Sequence, residues 1–161
     1  MIFFLKRLKS LSDSLVKSKL YDENTFYKSF IKDLKKCKEE VIIESPFITC
    51  QRMYTFSSLF QTLVERKVKV YVITRNPEEH ELSMKQQAEE EIRNFEMIGV
   101  QVLITQDYHH RKLAIIDRKI LWEGSLNILS QSYSREIMRR ITGTRPAKEM
   151  FNFLKLGKFI Y

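Results

Sequence analysis

Residues 110–127 of this chain read His110-Arg111-Lys112-Leu113-Ala114-Ile115-Ile116-Asp117-Arg118-Lys119-Ile120-Leu121-Trp122-Glu123-Gly124-Ser125-Leu126-Asn127. His110 and Lys112 stand two residues apart at the start of an apolar, β-branched run, so on a strand both side chains project from the same face. An imidazole beside an ammonium can hold one phosphate, because the imidazole can attack phosphorus while the ammonium neutralises the developing charge. The segment therefore predicts a strand that carries chemistry on a phosphate ester.

The polar residues further along the segment have different expected roles. Asp117 lies seven residues after His110, an odd offset, so its side chain should point to the opposite face and support the backbone. Gly124 offers a position without a side chain, where another backbone can approach closely. Ser125 and Asn127 then supply two neutral hydrogen-bonding side chains two residues apart.

The rest of the chain alternates between strand-like and helix-like apolar periods, which is typical of an α/β sheet with helices on both faces. The predicted strands are 41–43, 68–73, 100–104, 112–116, 119–122 and 135–141. The predicted helices are 26–37, 53–66, 82–97 and 148–155. At 161 residues, the chain has the length of one domain.

Residues 1–22 form the one ambiguous unit. Apolar residues at Phe4, Leu8, Leu11 and Leu15 recur with a helical period among lysines and arginines. The pattern predicts a basic amphipathic helix from Phe4 to Leu20, set apart from a domain that spans residues 23–161.

The net charge of +8 is unevenly distributed. Residues 1–40 carry a surplus of four positive charges and residues 106–161 a surplus of six, whereas residues 41–105 have two more acidic than basic side chains. A positive surplus at both ends indicates an anionic partner, nucleic acid or anionic lipid.

Other features of the composition exclude several classes of protein. No apolar run approaches the ~20 residues that span a bilayer, and the stretch 2–5 is too short for the core of a signal peptide. Cys37 and Cys50 form neither a metal spacing nor a disulfide framework. We expect a cytoplasmic protein without integral membrane association, and neither a cofactor nor a metal ion in its site. His80 is expected in a solvated acidic loop.

The pattern His-x-Lys-x4-Asp, followed after six residues by Gly-Ser-x-Asn, resembles the signature of the phospholipase D superfamily. The register selects His110 over His109, because the positions two and seven residues after His109 are Arg111 and Ile116. The resemblance covers about residues 24–142. It implies a phospholipase-D-like mixed sheet, with His110, Lys112, Ser125 and Asn127 as catalytic residues. It also implies that Glu136, a little beyond the Ser/Asn element, orients the histidine.

The resemblance implies phosphodiester chemistry and leaves the substrate open. The short single-motif chain is similar to small bacterial endonucleases of the superfamily, which work as dimers. The favoured hypothesis is therefore a metal-independent DNA endonuclease with a phosphohistidine intermediate in a homodimeric site. It could serve DNA restriction, defence or repair, with a helicase or ATPase as a further partner. Five basic residues are candidate nucleic-acid contacts: Arg75, Arg139, Arg140, Arg145 and Lys148.

Two other functions stay open at this point. One is a lipid phosphodiesterase or phosphatidyl transferase at a membrane surface, for which the predicted N-terminal helix would be the anchor. The other is a catalytically inactive DNA-binding subunit. The presence of every motif residue argues against the inactive subunit.

Overall fold

The computed structural model describes residues 16–106 and 108–161. It contains one seven-stranded mixed sheet with the strand order β1-β7-β6-β5-β2-β3-β4. The strands are β1 (Lys17–Asp22), β2 (Glu40–Glu44), β3 (Lys69–Arg75), β4 (Gln101–Thr105), β5 (Leu113–Ile116), β6 (Ile120–Gly124) and β7 (Ile137–Thr142). The helices are α1 (Phe26–Lys36), α2 (Cys50–Glu65), α3 (Leu82–Met97) and α4 (Thr144–Phe153). Two short 3₁₀ helices span Pro77–Glu79 and Leu156–Lys158.

One half of the sheet is parallel. β2, β3 and β4 run in the same direction, and helices α2 and α3 make the crossovers between them. All five residues of β2 are buried, as expected for a strand covered on both faces. Pro46 follows this strand closely and cannot extend it, so the chain turns away from the sheet there.

The other half is antiparallel and carries the motif. β5 pairs with β2, with Leu113 opposite Glu44, and then with β6, with Leu113 opposite Glu123. The turn between β5 and β6 places Asp117 and Arg118 in the left-handed region, with φ of 50° and 49°. His110 and Lys112 therefore lie at the end of the sheet opposite this turn.

Helices cover both faces, as predicted. On one face α1, α2 and α3 pack their aromatic and aliphatic side chains into one core cluster, which includes the buried Trp122. On the other face Ala147 and Phe151 of α4 pack against β5 and β6 together with Leu156. The predicted α/β class, the mixed sheet and the single domain are confirmed.

The prediction for residues 17–22 was wrong. This segment is a strand that pairs antiparallel with β7, from Lys17 opposite Thr142 to Asp22 opposite Ile137. Pairing satisfies the backbone groups at the edge of β7, and Tyr21 packs against the Trp122 ring with centroids 4.9 Å apart. These contacts outweigh the helical period of the apolar residues. The predicted helix before residue 16 lies outside the described residues.

No helix in the described part of the chain is long and apolar enough to cross a membrane.

Candidate active site

The His110 and Lys112 side chains meet just before β5. The Lys112 ammonium donates to Nδ1 of His110 at 2.8 Å and to the His110 carbonyl oxygen at 2.6 Å. The His110 side chain is exposed, and Lys112 is half-buried. The motif thus brings a solvent-accessible imidazole and a fixed cation into one place, as predicted, although both residues precede the strand on which they were expected.

The charges around His110 favour its neutral form. Partial burial lowers its pKa below the ordinary value, and the positive charges of Lys112 and Arg75 lower it further. Burial also lowers the pKa of Lys112, an effect that the negative charge of Glu136 opposes. A neutral imidazole near pH 7 has the lone pair that a nucleophile needs.

Ser125 and Glu136 form a second polar group beside the pair. The Ser125 hydroxyl donates to one carboxylate oxygen of Glu136 and accepts from the Ile137 N–H at 3.1 Å. The Ser134 hydroxyl donates to the other Glu136 oxygen at 2.6 Å. Glu136 therefore fixes the Ser125 hydroxyl. The predicted contact of Glu136 with His110 is not formed among the described residues: the two Glu136 oxygens accept from Ser125 and Ser134, and Lys112 donates to Nδ1 of His110.

Gly124 allows β7 to approach the motif. A Cβ at this position would lie 2.1 Å from the Ile137 carbonyl oxygen and 2.9 Å from the Met138 Cα. Its own N–H donates to the Lys112 carbonyl oxygen at 3.3 Å. The absence of a side chain therefore sets the position of Ser125 relative to Lys112.

Asp117 lies at the far end of β5 and binds backbone. Its carboxylate accepts from the N–H groups of Lys38, Glu39 and Glu40 at 2.8–3.2 Å. Burial alone would raise its pKa, but these bonds and the Cys37 thiol hold the pKa below the ordinary value. Burial, aided by Asp117, in turn raises the pKa of Cys37 to about 12, so the thiol remains a donor. These are the contacts of a structural support.

Asn127 is held by the segment that follows it. Its carbonyl oxygen accepts from the N–H groups of Ser130 and Gln131. Its side-chain Oδ1 is buried and has no hydrogen-bond partner among the described residues.

An open groove of about 620 Å³ adjoins the motif. Lys112, Ser125 and Arg139 contribute to one part of its lining. Apolar side chains contribute to the rest, among them Leu20, Ile137, Met150 and Phe153.

The predicted basic contacts separate into two groups. Arg75 ends β3 close enough to His110 for its charge to lower the His110 pKa, and Arg139 lines the groove beside Lys112. Both lie at the motif end of the sheet.

The other three basic residues do not join the site. Arg140 forms an ion pair with Asp33, with its Nε 2.6 Å from Oδ2. Arg145 and Lys148 lie in the first turns of α4, which follows β7 at the end of the sheet that holds Asp117. An extended strand rises roughly 15 Å over the residues from Lys112 to Asp117. That end of the sheet is therefore roughly 15 Å from Lys112. The alternation of β7 and the turn after it explain this separation, since neighbours in sequence point to opposite faces or move to the opposite end.

Two functional-site residues at the end of β2 were missed. Glu44 is fully buried, pairs with Arg111 at 2.8 Å and lies 3.3 Å from Nε2 of His109. Phe47 packs its ring against both His110 and His80, with centroids 6.2 and 5.1 Å away. His80 is thus half-buried rather than solvated. The signal available was the position of both residues at the carboxyl end of a buried strand, where sites in α/β sheets form.

Across residues 16–106 and 108–161, no group of three or more His, Cys, Asp or Glu side chains is arranged to hold a metal ion.

Comparison with known proteins places the fold in a family. The family model described as cardiolipin synthase, PLD-like domain, matches residues 30–154. A search of curated protein sequences finds no match to this chain.

Several solved structures share the fold. Nuc, a phospholipase D family member from Salmonella typhimurium, has a TM-score of 0.70 at 11% identity, over 87% of this chain and 92% of its own. NucT from Helicobacter pylori has a TM-score of 0.68 at 18% identity, over 87% of this chain and 94% of its own. The phosphatidylserine synthase of Haemophilus influenzae Rd KW20 has a TM-score of 0.59 at 12% identity, over 81% of this chain and 35% of its own.

The match to the family model extends over most of the chain and includes the His110–Asn127 motif. The chain therefore belongs to the phospholipase D superfamily, as an enzyme of the phosphodiesterase type.

Proposed function

We propose that this chain is a nuclease that cleaves phosphodiester bonds through a covalent intermediate on His110. The observation that carries the proposal is the contact between the exposed imidazole and the Lys112 ammonium, beside an ordered Ser125 hydroxyl. A phosphate placed there meets a neutral nucleophile, a cation and a hydroxyl donor. Those are the groups required for attack at phosphorus and for stabilisation of the charge that develops.

The reaction would proceed in two displacements. A bound phosphate oxygen draws the Lys112 ammonium from Nδ1 of His110, which frees the ring to attack with its lone pair. The P–N bond forms while the bond from phosphorus to the leaving sugar oxygen breaks, and an acid gives that oxygen a proton. Water then attacks phosphorus, the P–N bond breaks, and the acid regains a proton from the water. The Ser125 hydroxyl, once released from Glu136, and the Asn127 side-chain N–H would donate to the non-bridging oxygens.

The acid in this scheme is the His110 of a second copy in its protonated form, which the negative charge of the bound phosphate would favour. Attack and protonation must occur on opposite sides of phosphorus, and the chain has one copy of the motif. A two-fold interface brings the same surface patch of each copy together, so a homodimer would supply both histidines. Leu20 and Ile137, more than half exposed beside the groove, offer apolar surface for that contact.

The distribution of charge favours a nucleic acid as substrate. Helix α1 and the residue that follows its C-cap carry five exposed lysines: Lys28, Lys32, Lys35, Lys36 and Lys38. The one acidic residue of this stretch, Asp33, is buried against Arg140. Residues 77–97, which include α3, have seven glutamates and two basic side chains. Helix α2 contacts both α1 and α3, so one layer of the molecule is positive on one side and negative on the other. A polyanion would bind along the α1 side.

A phospholipid remains the second candidate substrate. The groove beside Lys112 and Ser125 has apolar walls at Leu20, Met150 and Phe153. Apolar walls next to a cationic phosphate site would suit an acyl chain and its headgroup. The family description and the phosphatidylserine synthase fold agree with this alternative.

One substrate panel separates the two functions. The protein and its His110→Ala variant are incubated with single-stranded DNA, plasmid, RNA and phosphatidylglycerol vesicles, with and without excess EDTA. We expect His110-dependent cleavage of nucleic acid, retained in EDTA because cationic and neutral donors can stabilise the charge. Turnover of vesicles alone would support the lipid function, and activity unchanged in His110→Ala would refute the assignment of the nucleophile.

A further inference from the structure

Tyr108 has an unusual backbone conformation two residues before His110. Its φ is 53°, in the left-handed region that residues with a side chain seldom adopt. Its N–H donates to Oε2 of Glu79 at 3.1 Å, which holds the residue in this conformation. A strained residue held by a specific contact beside an active site often has a function there.

The Arg75 guanidinium group packs against one face of the Tyr108 ring. The Arg75 guanidinium carbon lies 4.5 Å from the ring centroid, within the range of a cation–π contact. Arg75 is fixed in turn, because its Nε donates to Glu79 Oε2 at 2.8 Å and its Nη2 donates to the Glu79 carbonyl oxygen at 2.9 Å. Glu79 therefore holds both the ring and the cation beneath it.

The remaining surface of the ring is open. Tyr108 is 71% exposed, whereas the Arg75 side chain beneath it is 13% exposed. The Cα atoms of Tyr108 and His110 can be at most about 7 Å apart. A large flat apolar surface thus lies beside the proposed nucleophile with one face free.

We propose that Tyr108, supported by Arg75, is a subsite that stacks on an unpaired nucleobase next to the scissile phosphate. The inference rests on the proposed nuclease function and specifies its substrate class. Aromatic rings backed by cations bind bases of any sequence, because every base presents a π-face. The ring cannot stack in this way on a base inside a duplex, where both faces are already covered. The subsite therefore selects single-stranded over double-stranded nucleic acid.

The test compares matched oligonucleotides that differ at one nucleotide. Each single strand carries either a base or an abasic sugar beside a single cleavable linkage, and kcat/KM is measured for both. We expect Tyr108→Ala to lower kcat/KM about tenfold or more on the intact strand and much less on the abasic strand, with Tyr108→Trp close to wild type. Tyr54→Ala is the control, since Tyr54 is 92% exposed on α2. Equal losses on both strands, or no loss on the intact strand, would overturn the subsite.

A binding experiment separates this inference from the nuclease proposal. The His110→Ala variant is titrated with a single strand that contains 2-aminopurine, whose fluorescence is quenched on stacking. We expect quenching that Tyr108→Ala removes, even if no substrate is cleaved by wild type. If wild type cleaves the strand, but adding Tyr108→Ala to His110→Ala leaves the quenching unchanged, the subsite alone is refuted. Absence of both cleavage and quenching would refute the two proposals together.

Discussion

The Lys112 ammonium donates to Nδ1 of His110 at 2.8 Å, so the cation of the motif is in direct contact with its imidazole. In the proposed mechanism the pair has two states. Without phosphate, the ammonium stabilises the neutral imidazole, and with phosphate it would neutralise the bound oxygen. The same positive charge lowers the pKa of His110 and would be attracted to the substrate.

The first prediction concerns the titration of His110. Its pKa should lie below the ordinary value of about 6.5, because burial and the nearby cations disfavour the imidazolium. NMR titration of the imidazole signals would measure it. Lys112→Met should raise the pKa, since one positive charge is removed. A pKa above the ordinary value in wild type, or no change in Lys112→Met, would contradict this electrostatic account.

The second prediction concerns the backbone clamp of Asp117. Asp117→Ala leaves the N–H groups of residues 38–40 without their acceptor and should lower the free energy of unfolding by about 1–3 kcal/mol. Urea denaturation would measure the loss.

The pH dependence provides a check on the clamp. The folded pKa of Asp117 is lowered, so its stabilisation is complete above the unfolded value of about 3.9 and is lost as the pH falls through the folded value. The stability difference between wild type and Asp117→Asn should therefore shrink as the pH is reduced below about 4. A constant difference would show that the charge has no part in it.

The third prediction concerns the contact at Gly124. Gly124→Ala should cost about 1–3 kcal/mol and displace Ser125, because the new Cβ would overlap the Ile137 carbonyl group. Gly157→Ala is the matched control, since a Cβ there meets its nearest neighbour, Cε1 of Phe151, at an ordinary 3.6 Å. Thermal denaturation of both variants would compare them. Similar stability of the two would mean that β7 does not need the close approach.

The fourth prediction concerns the shared site. Sedimentation should give a mass of about twice 19.3 kDa. Dimers that combine one wild-type copy with one His110→Ala copy, purified with two different tags, should be nearly inactive, because each retains half of the histidine pair. Mixed dimers with half of the wild-type activity would show that each copy works alone.

Local sequence patterns were sufficient to predict most of the fold. The β-branched run at 41–43 and the helical period at 82–97 each specify an element that the structure contains. β1 could not be predicted, because its conformation depends on hydrogen bonds to β7, more than a hundred residues away. Short polar strands at a sheet edge have little signal of their own.

In the site, too, contacts between residues close in sequence were predictable, and contacts between residues far apart in the chain were not. The spacing of His110 and Lys112 was enough to predict that their side chains lie together, although both residues precede β5 and neither lies on a strand. The partners of Glu136 and Arg140 were not predictable in this way, since Ser125 and Asp33 approach them through the sheet and α1. The position of Tyr108 depends on a hydrogen bond to Glu79, which lies in the 3₁₀ helix Pro77–Glu79.

Trapping of the covalent intermediate tests the nuclease mechanism most directly. Wild-type protein is mixed with a labelled single-stranded oligonucleotide, quenched within milliseconds and digested under alkaline conditions, which preserve a phosphoramidate, for peptide mass spectrometry. The mechanism predicts a nucleotide adduct on the peptide that contains His110, absent from His110→Ala. Cleavage by wild type with no adduct, or an adduct on a residue other than His110, would contradict it.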